Sequence, residues 1–298
     1  MPVDILLVNP VFLNQDEAER ELMTPYFPLG LLYLAAFLRE KGMGVEIFDG
    51  TFAQGVENFS AALEEHRPRV VGISSVQPNR QMAFRLARLA KRFEAQVVLG
   101  GPDPTAVPEV YLAEPAVDFV VHHEGEITLF ELLKALLNEG SLDLKEIDGI
   151  GYRDEKGDTI VKARRAYILD LDDLPLPARD LVNMDQYLTF WRENYGYSSL
   201  TISLARGCPY GCEWCEQSIH GAEFRQRSPD NVVKEIKSLM QSFEIDRLRV
   251  VDDVDGIDRE WIESWAEIAE AEEAVLPFEA LNDLKRADIP MLDVRAPL

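Results

Sequence analysis

Short apolar runs alternate with amphipathic stretches of helical length over the first ~150 residues, and that alternation leaves few folds open. The runs DILLVN (4–9), VVGIS (70–74) and QVVLG (96–100) are apolar without a polar face. A strand of that kind must be covered on both sides, which is the habit of parallel sheets with helices on each face. The pattern predicts strands over 4–9, 45–48, 70–74, 96–100 and 117–121. Helices are expected over 28–41, 58–65, 79–93 and 126–137. Pro28 suits the first turn of its helix, and Gly42 and Gly44 stop it. The expectation is a doubly wound, Rossmann-like α/β domain over residues 1–140.

Residues 141–197 read differently. Gly149 to Arg153 and Thr159 to Val161 suggest a small hairpin turning at Glu155-Lys156-Gly157-Asp158, and Asp172-Asp173-Leu174-Pro175-Leu176-Pro177 reads as a stiff, extended linker. A second βα series follows over 198–298. Strands are expected at 199–204, 248–251 and 277–281, with helices at 229–243 (Ser228 as N-cap) and 259–272. In a βα series functional groups collect at the carboxyl ends of the strands. The first of these strands runs directly into Arg206-Gly207-Cys208-Pro209-Tyr210-Gly211-Cys212-Glu213-Trp214-Cys215, and the second ends in Asp252-Asp253.

Cys208, Cys212 and Cys215 are the only cysteines in the chain, spaced C-x3-C-x2-C. An odd, clustered set disfavours a disulfide framework and reads as a ligand set. Three thiolates can hold a cubane iron–sulfur cluster and leave one iron open to a substrate or cofactor. Gly207 and Gly211 permit the tight backbone that such a loop needs, and Arg206 sets a positive charge beside it. The competing reading is zinc held by the three cysteines and His220. The net charge of −23 argues against a nucleic-acid backbone as partner. The longest apolar stretch, 29–38, is too short to span a bilayer, and no signal peptide opens the chain. A cytoplasmic protein is the expectation.

The cysteine loop resembles the signature of the radical S-adenosylmethionine (radical SAM) superfamily. The resemblance implies a 4Fe-4S cluster on Cys208, Cys212 and Cys215, with Trp214 contacting the adenine of S-adenosylmethionine. It also implies that Asp252 and Asp253, ending the second strand, lie near the methionine amine, and that Glu279 serves on the third. Relatives often carry an Arg a few residues after that Glu, where this chain has Asn282-Asp283. The first ~135 residues resemble the cobalamin-binding domain of one radical SAM subgroup. The resemblance rests on Pro28-Leu29-Gly30-Leu31-Leu32-Tyr33-Leu34-Ala35-Ala36, Gly72-Ile73-Ser74-Ser75, Gly100-Gly101-Pro102-Asp103-Pro104-Thr105 and His123-Glu124-Gly125-Glu126, in that order. It implies cobalamin contacts from Gly72, Ser74, Ser75, Gly100, Gly101, Thr105, Glu124, Gly125 and Glu126. Taken singly, each Gly loop could be a plain α/β turn, and Glu124 and Glu126 could be solvated carboxylates at a helix start. None of His66, His122, His123 or His220 stands in the Asp-x-His-x-x-Gly context of a cobalt-ligating histidine.

About 90 residues follow Cys208, against ~250 for a complete eight-unit barrel. A partial barrel is therefore expected, its open edge covered by another chain or by self-association. By resemblance the activity would be reductive cleavage of S-adenosylmethionine, serving methyl transfer to an unactivated centre or a radical cyclisation or rearrangement of a small-molecule substrate. The electron would come from a reductant such as a flavodoxin or ferredoxin. The alternatives are a non-catalytic cobalamin or iron–sulfur module and a zinc-stabilised α/β interaction protein.

Overall fold

The structure is a computed structural model of the 298-residue chain, and it describes residues 3–15, 25–137, 143–213, 215, 219–254 and 257–280. Trp214, residue 281 at the end of the third expected strand, and Asn282-Asp283 lie outside the described residues. The chain divides into two compact units: residues 1–167 with 177–182, and residues 168–176 with 183–298.

The first unit is built on a parallel sheet of β1 (Ile5–Asn9), β2 (Val45–Asp49), β3 (Val70–Ser74), β4 (Gln96–Gly100) and β5 (Phe119–Val121), in the order β2-β1-β3-β4-β5. The crossovers are α1 (Leu29–Glu40), α2 (Val56–His66), α3 (Arg80–Lys91) and the short pair α4 (Pro102–Ala106) and α5 (Pro108–Leu112). Helix α6 (Glu126–Leu136) follows β5. Successive strand residues point to opposite faces. Leu6, Val8, Val71, Ile73, Val97 and Leu99 pack with Phe59 and Leu63 of α2, Leu86 and Ala87 of α3 and Tyr111 of α5. Ile5, Leu7, Val70, Val98 and Val121 pack against Leu31, Ala35 and Leu38 of α1 and Leu129, Leu132 and Leu133 of α6. Continuous apolar strands covered on both sides are what the sequence pattern requires, and the expected doubly wound domain is present.

The hairpin of β6 (Ile150–Arg153) and β7 (Thr159–Val161) does not stand in a connecting segment. It pairs antiparallel onto β5 and completes a seven-stranded sheet, with Phe119 opposite Tyr152 and Val121 opposite Ile150. Ile150 and Tyr152 are buried in the same core as Val121, so the hairpin's apolar face belongs to the first unit. The stretch expected to be an extended linker is likewise packed. Leu171 and Leu174 are buried, and Asp172 Oδ1 accepts a 3.0 Å bond from Ser228 N within the second unit. Ala178 N donates to Leu32 O (3.0 Å), and Asp180 pairs with Arg39, within the first unit.

A helix absent from the sequence reading, α7 (Met184–Tyr195), opens the main part of the second unit. Asn183 caps it through Gln186 N, and Gly196 closes it in the left-handed conformation at φ 77°. Then come β8 (Ser199–Ile202), α8 (Pro229–Ser242), β11 (Arg247–Val250), α9 (Arg259–Ala271) and β12 (Phe278–Glu279), with β9 (Ala205–Arg206) and β10 (Arg225–Gln226) between β8 and α8. The strands β8, β11 and β12 are parallel, in the order β12-β11-β8. Ser228 caps α8 through Asn231 N at 3.2 Å, as its position before Pro229 suggests, and Asp258 caps α9. The ribbon β9–β10 is antiparallel, with Arg206 opposite Arg225, and it pinches the cysteine loop at its base.

Candidate functional site

In the first unit the strand order reverses direction around β1 and β3, and in such sheets ligands bind beyond the carboxyl ends of the strands at that switch. The loops that leave β3, β4 and β5 there are cross-tied. Ser75 N donates to Gly100 O (2.8 Å), and Asp103 N donates to Ser75 O (3.3 Å). Gly101 has φ +107°, and a Cβ on it would lie 2.7 Å from Ser75 O, so only glycine fits where the β4 loop crosses the end of β3. Thr105 Oγ1 accepts from His123 N (2.9 Å), which fastens the far end of the same loop to the end of β5.

The residues expected to contact cobalamin fall into two groups. Ser74, Gly100, Gly101, Thr105 and Gly125 are half-buried at this edge. Gly72 is instead in the middle of β3, in register with Leu7 and Val98; a side chain there would press on Leu7 Cδ2 at 3.0 Å and Ile5 Cδ1 at 3.2 Å, so this glycine makes room in the core. Ser75 is fully buried, its hydroxyl 2.7 Å from Tyr111 Oη. Glu124 and Glu126 are buried, at 7% and 4% exposure, which overturns their reading as solvated carboxylates at a helix start.

Two features of this edge went unread in the sequence. Arg80 of α3 forks onto Asp103 with Nε to Oδ2 and Nη2 to Oδ1, both at 2.7 Å, and Tyr111 Oη donates to Asp103 Oδ2 at 2.5 Å. The guanidinium holds the Asp103 carboxyl below its usual range, and burial together with that carboxylate pushes the Tyr111 phenol up to about 12. The visible signal was an acid between two prolines at a strand end; its partners, 23 residues before and 8 after, carried none. His122 is buried with Nε2 lacking a hydrogen-bond partner, and its Nδ1 lies 2.9 Å from His123 Nδ1. Burial, then the neighbouring His122 and Arg164, lower His123 to about 4, so the pair is neutral near pH 7.

In the second unit, Gly207 stands at φ +83°, where a Cβ would collide with the Glu223 carbonyl. Cys208 is buried and its N–H donates to Gly221 O (3.1 Å), while Cys212 and Cys215 are exposed and joined by a turn from Cys215 N to Cys212 O (3.1 Å). Among the described residues no three His, Cys, Asp or Glu side chains converge into a metal-binding group, so neither the three thiols nor the thiols with His220 are gathered on one point. The loop's flank is rich in buried arginine: Arg206, Arg225 and Arg227 are 8%, 6% and 4% exposed. Arg227 forms a buried ion pair with Glu235 (2.6 Å) and donates to Ser203 O, while Arg225 Nη1 donates to Ile168 O (both 2.8 Å).

The carboxylates expected near S-adenosylmethionine separate. Asp252 is buried and bound to the turn after β8: it accepts from Leu204 N (2.9 Å), Ala205 N (2.9 Å) and Ser203 Oγ (2.8 Å). It shapes the entry into the cysteine loop. Asp253 and Glu279 are exposed. In chemistry the soft thiolate set suits iron–sulfur ligation, and the glycine-lined edge of the first unit offers close backbone approach to a flat ligand.

Residues 20–133 match the B12 binding domain family. An uncharacterized methyltransferase of Pyrococcus horikoshii is 33% identical over 258 residues, which cover 84% of this chain and 53% of that protein. An anaerobic magnesium-protoporphyrin IX monomethyl ester cyclase of Synechocystis is 28% identical over 257 residues, covering 82% of this chain and 48% of its own. The chain thus spans about half the length of the curated relatives it matches. The solved structure of the cobalamin-dependent S-adenosylmethionine radical enzyme OxsB, with aqua-cobalamin and S-adenosylmethionine bound, matches with a TM-score of 0.81 and 21% identity over 99% of this chain and 42% of that one, which shows a shared fold. Residues 20–133 thus match a B12 binding domain, the βα series that follows delivers three cysteines in one loop from its first strand, and the whole is similar to a methyltransferase and a cyclase and shares the fold of a cobalamin-dependent S-adenosylmethionine radical enzyme.

Proposed function

We propose that this chain is the cofactor-bearing part of a cobalamin-dependent radical SAM enzyme. Its reaction would be methyl transfer to an unactivated centre, or a radical cyclisation or rearrangement, on a small-molecule substrate. The observation that carries the reading is the cysteine loop at the carboxyl end of β8, held at its base by Gly207 and the β9–β10 ribbon, behind a B12-binding domain. The names of the relatives, methyltransferase and cyclase, support the two reaction classes. When bound, the cluster supplies the electron that cleaves S-adenosylmethionine and cobalamin carries the methyl group.

The chain's own residues would act as follows. Cys208, Cys212 and Cys215 bind the 4Fe-4S cluster. Two of them are exposed on a loop fastened at its base, and such ligand sets close as the metal binds. Asp252 sets the backbone that leads to Cys208. Asp253, Glu279 and Trp214 contact S-adenosylmethionine. Ser74, Gly100, Gly101, Thr105, Glu124, Gly125 and Glu126 border the cobalamin. The electron donor is a flavodoxin or ferredoxin, a second chain or a second copy covers the edge of the three-stranded sheet, and the protein works in the cytoplasm. Among the described residues no helix is long and apolar enough to cross a membrane.

The test is anaerobic reconstitution with iron, sulfide and cobalamin, followed by S-adenosylmethionine and a strong reductant. We expect iron and sulfide in the ratio of a 4Fe-4S cluster, one bound corrin, and formation of 5′-deoxyadenosine that Cys212→Ala abolishes. Corrin binding without 5′-deoxyadenosine would mean a binding module, and stoichiometric zinc without iron would mean a structural zinc site.

A further inference from the structure

The cross-tie at the carboxyl edge of the first unit has a direction. Asp103 Oδ1 and Oδ2 accept from Arg80, and Oδ2 accepts from Tyr111 Oη. Tyr111 has spent its only proton, so across the 2.7 Å contact between Ser75 Oγ and Tyr111 Oη the serine must be the donor. The order is therefore Ser75 to Tyr111 to the Asp103 carboxylate, with Arg80 closing the far side. Asn79 Oδ1, at 3.2 Å from Ser75 Oγ, is the more distant acceptor and already takes Val76 N at 2.9 Å.

That chain ties together four elements: the end of β3, the short helix α4 that follows β4, α5 and the start of α3. It lies directly behind the place where Gly101 crosses Ser75, and the loop's other end is held by Thr105 at His123. Tyr111 is fully buried and Asp103 is 8% exposed, so a ligand on the edge meets the loop backbone and not these side chains. We propose that Asp103 is a positioning residue for cobalamin: acting through Tyr111 and Ser75, its carboxylate fixes the 100–105 loop against the end of β3 before the ligand arrives. This rests on the reading of that edge as the cobalamin site. A pre-set loop spends less of the binding free energy on ordering.

The test is titration of the full-length chain with aquacobalamin, followed by visible absorbance, together with amide hydrogen exchange. The variants are Asp103→Asn, Tyr111→Phe and Ser75→Ala, with Arg88→Gln as control; Arg88 pairs on the surface with Glu114, away from the loop. Asp103→Asn is expected to weaken cobalamin binding by roughly tenfold or more. It should also speed exchange at the Ser75, Asp103, Thr105 and His123 amides, while the control changes neither. Tyr111→Phe and Ser75→Ala should move both readouts in the same direction by less, and they decide the matter if Asp103→Asn does not fold. Faster exchange with unchanged affinity in the folded variants would overturn the role of Asp103, and so would unchanged exchange. Failure of the wild-type chain to bind cobalamin would instead overturn the reading of the edge itself.

Discussion

Substitution of Asp252 by Ala should destabilise the second unit strongly. Its carboxylate accepts from the amides of Leu204 and Ala205, which are 0% and 4% exposed, and from the hydroxyl of Ser203. Removing it strands two buried N–H donors at ~1–3 kcal/mol each, or about 2–6 kcal/mol together. Asp252→Asn keeps one acceptor oxygen and turns an NH2 toward an N–H, so it should lose roughly half as much. All 4 tryptophans, at positions 191, 214, 261 and 265, lie in the second unit, so tryptophan fluorescence during urea unfolding reports on that unit alone. With a slope of ~1–3 kcal/mol per M of urea, the midpoint should fall by on the order of 1 M. A loss below about 0.5 kcal/mol, the level of an ordinary surface change, would refute the assignment. If S-adenosylmethionine affinity dropped at the same time, the carboxylate would face the cofactor, as the sequence reading has it.

Gly207→Ala should prevent iron uptake without disturbing the first unit, because the added methyl meets the Glu223 carbonyl at φ +83°; iron quantified after reconstitution checks it. Glu235→Gln should cost ~3–5 kcal/mol by the same fluorescence assay, since it leaves the Arg227 guanidinium buried without its carboxylate. The native carboxyl of Asp103 sits below its unfolded value of ~3.9, so its stabilisation is fully present above that pH and is lost as pH falls further; Asp103→Asn should flatten acid unfolding of the first unit in that window. His123 behaves with the same sign over a higher range. The unfolded chain takes up its proton near ~6.5 and the folded one only at about 4, so stability falls as pH drops between the two, and His123→Asn, which tolerates the positive φ, should reduce that slope in urea titrations.

Loop fastening, more than any single ligand, unites the two candidate sites. In the first unit Gly101 lets the β4 loop lie on Ser75, and in the second Gly207 lets the cysteine loop lie on Glu223. Both glycines have positive φ, and at both a neighbouring carbonyl occupies the space that a methyl group would need. The backbone of each candidate site is therefore held from behind, by the relay through Asp103 in one unit and by the carboxylate of Asp252 in the other. Exposed Asp253 and Glu279 remain free of that structural duty, which makes them the better candidates for direct contact with S-adenosylmethionine.

Much of this protein was legible in the order of its residues. Apolar runs placed β1, β3, β4 and β5 within a few residues, because a strand covered on both faces must be largely apolar. Ser228 before Pro229 announced the start of α8, since capping is a bond between near neighbours. The three clustered cysteines marked a candidate ligand loop, which follows β8 in the structure. What tertiary structure decided were the partners of polar groups far apart in the chain. Asp252 is spent on amides 47 and 48 residues away, Asp103 on Arg80 and Tyr111, and Gly72 on the side chains of the neighbouring strand. The hairpin after residue 149 joined the first sheet because β5 offered it an edge and a core, which no local pattern records. Periodicity and capping are short-range and written in the sequence; the choice of a carboxylate's partner follows strand order, which exists only once the sheets have formed.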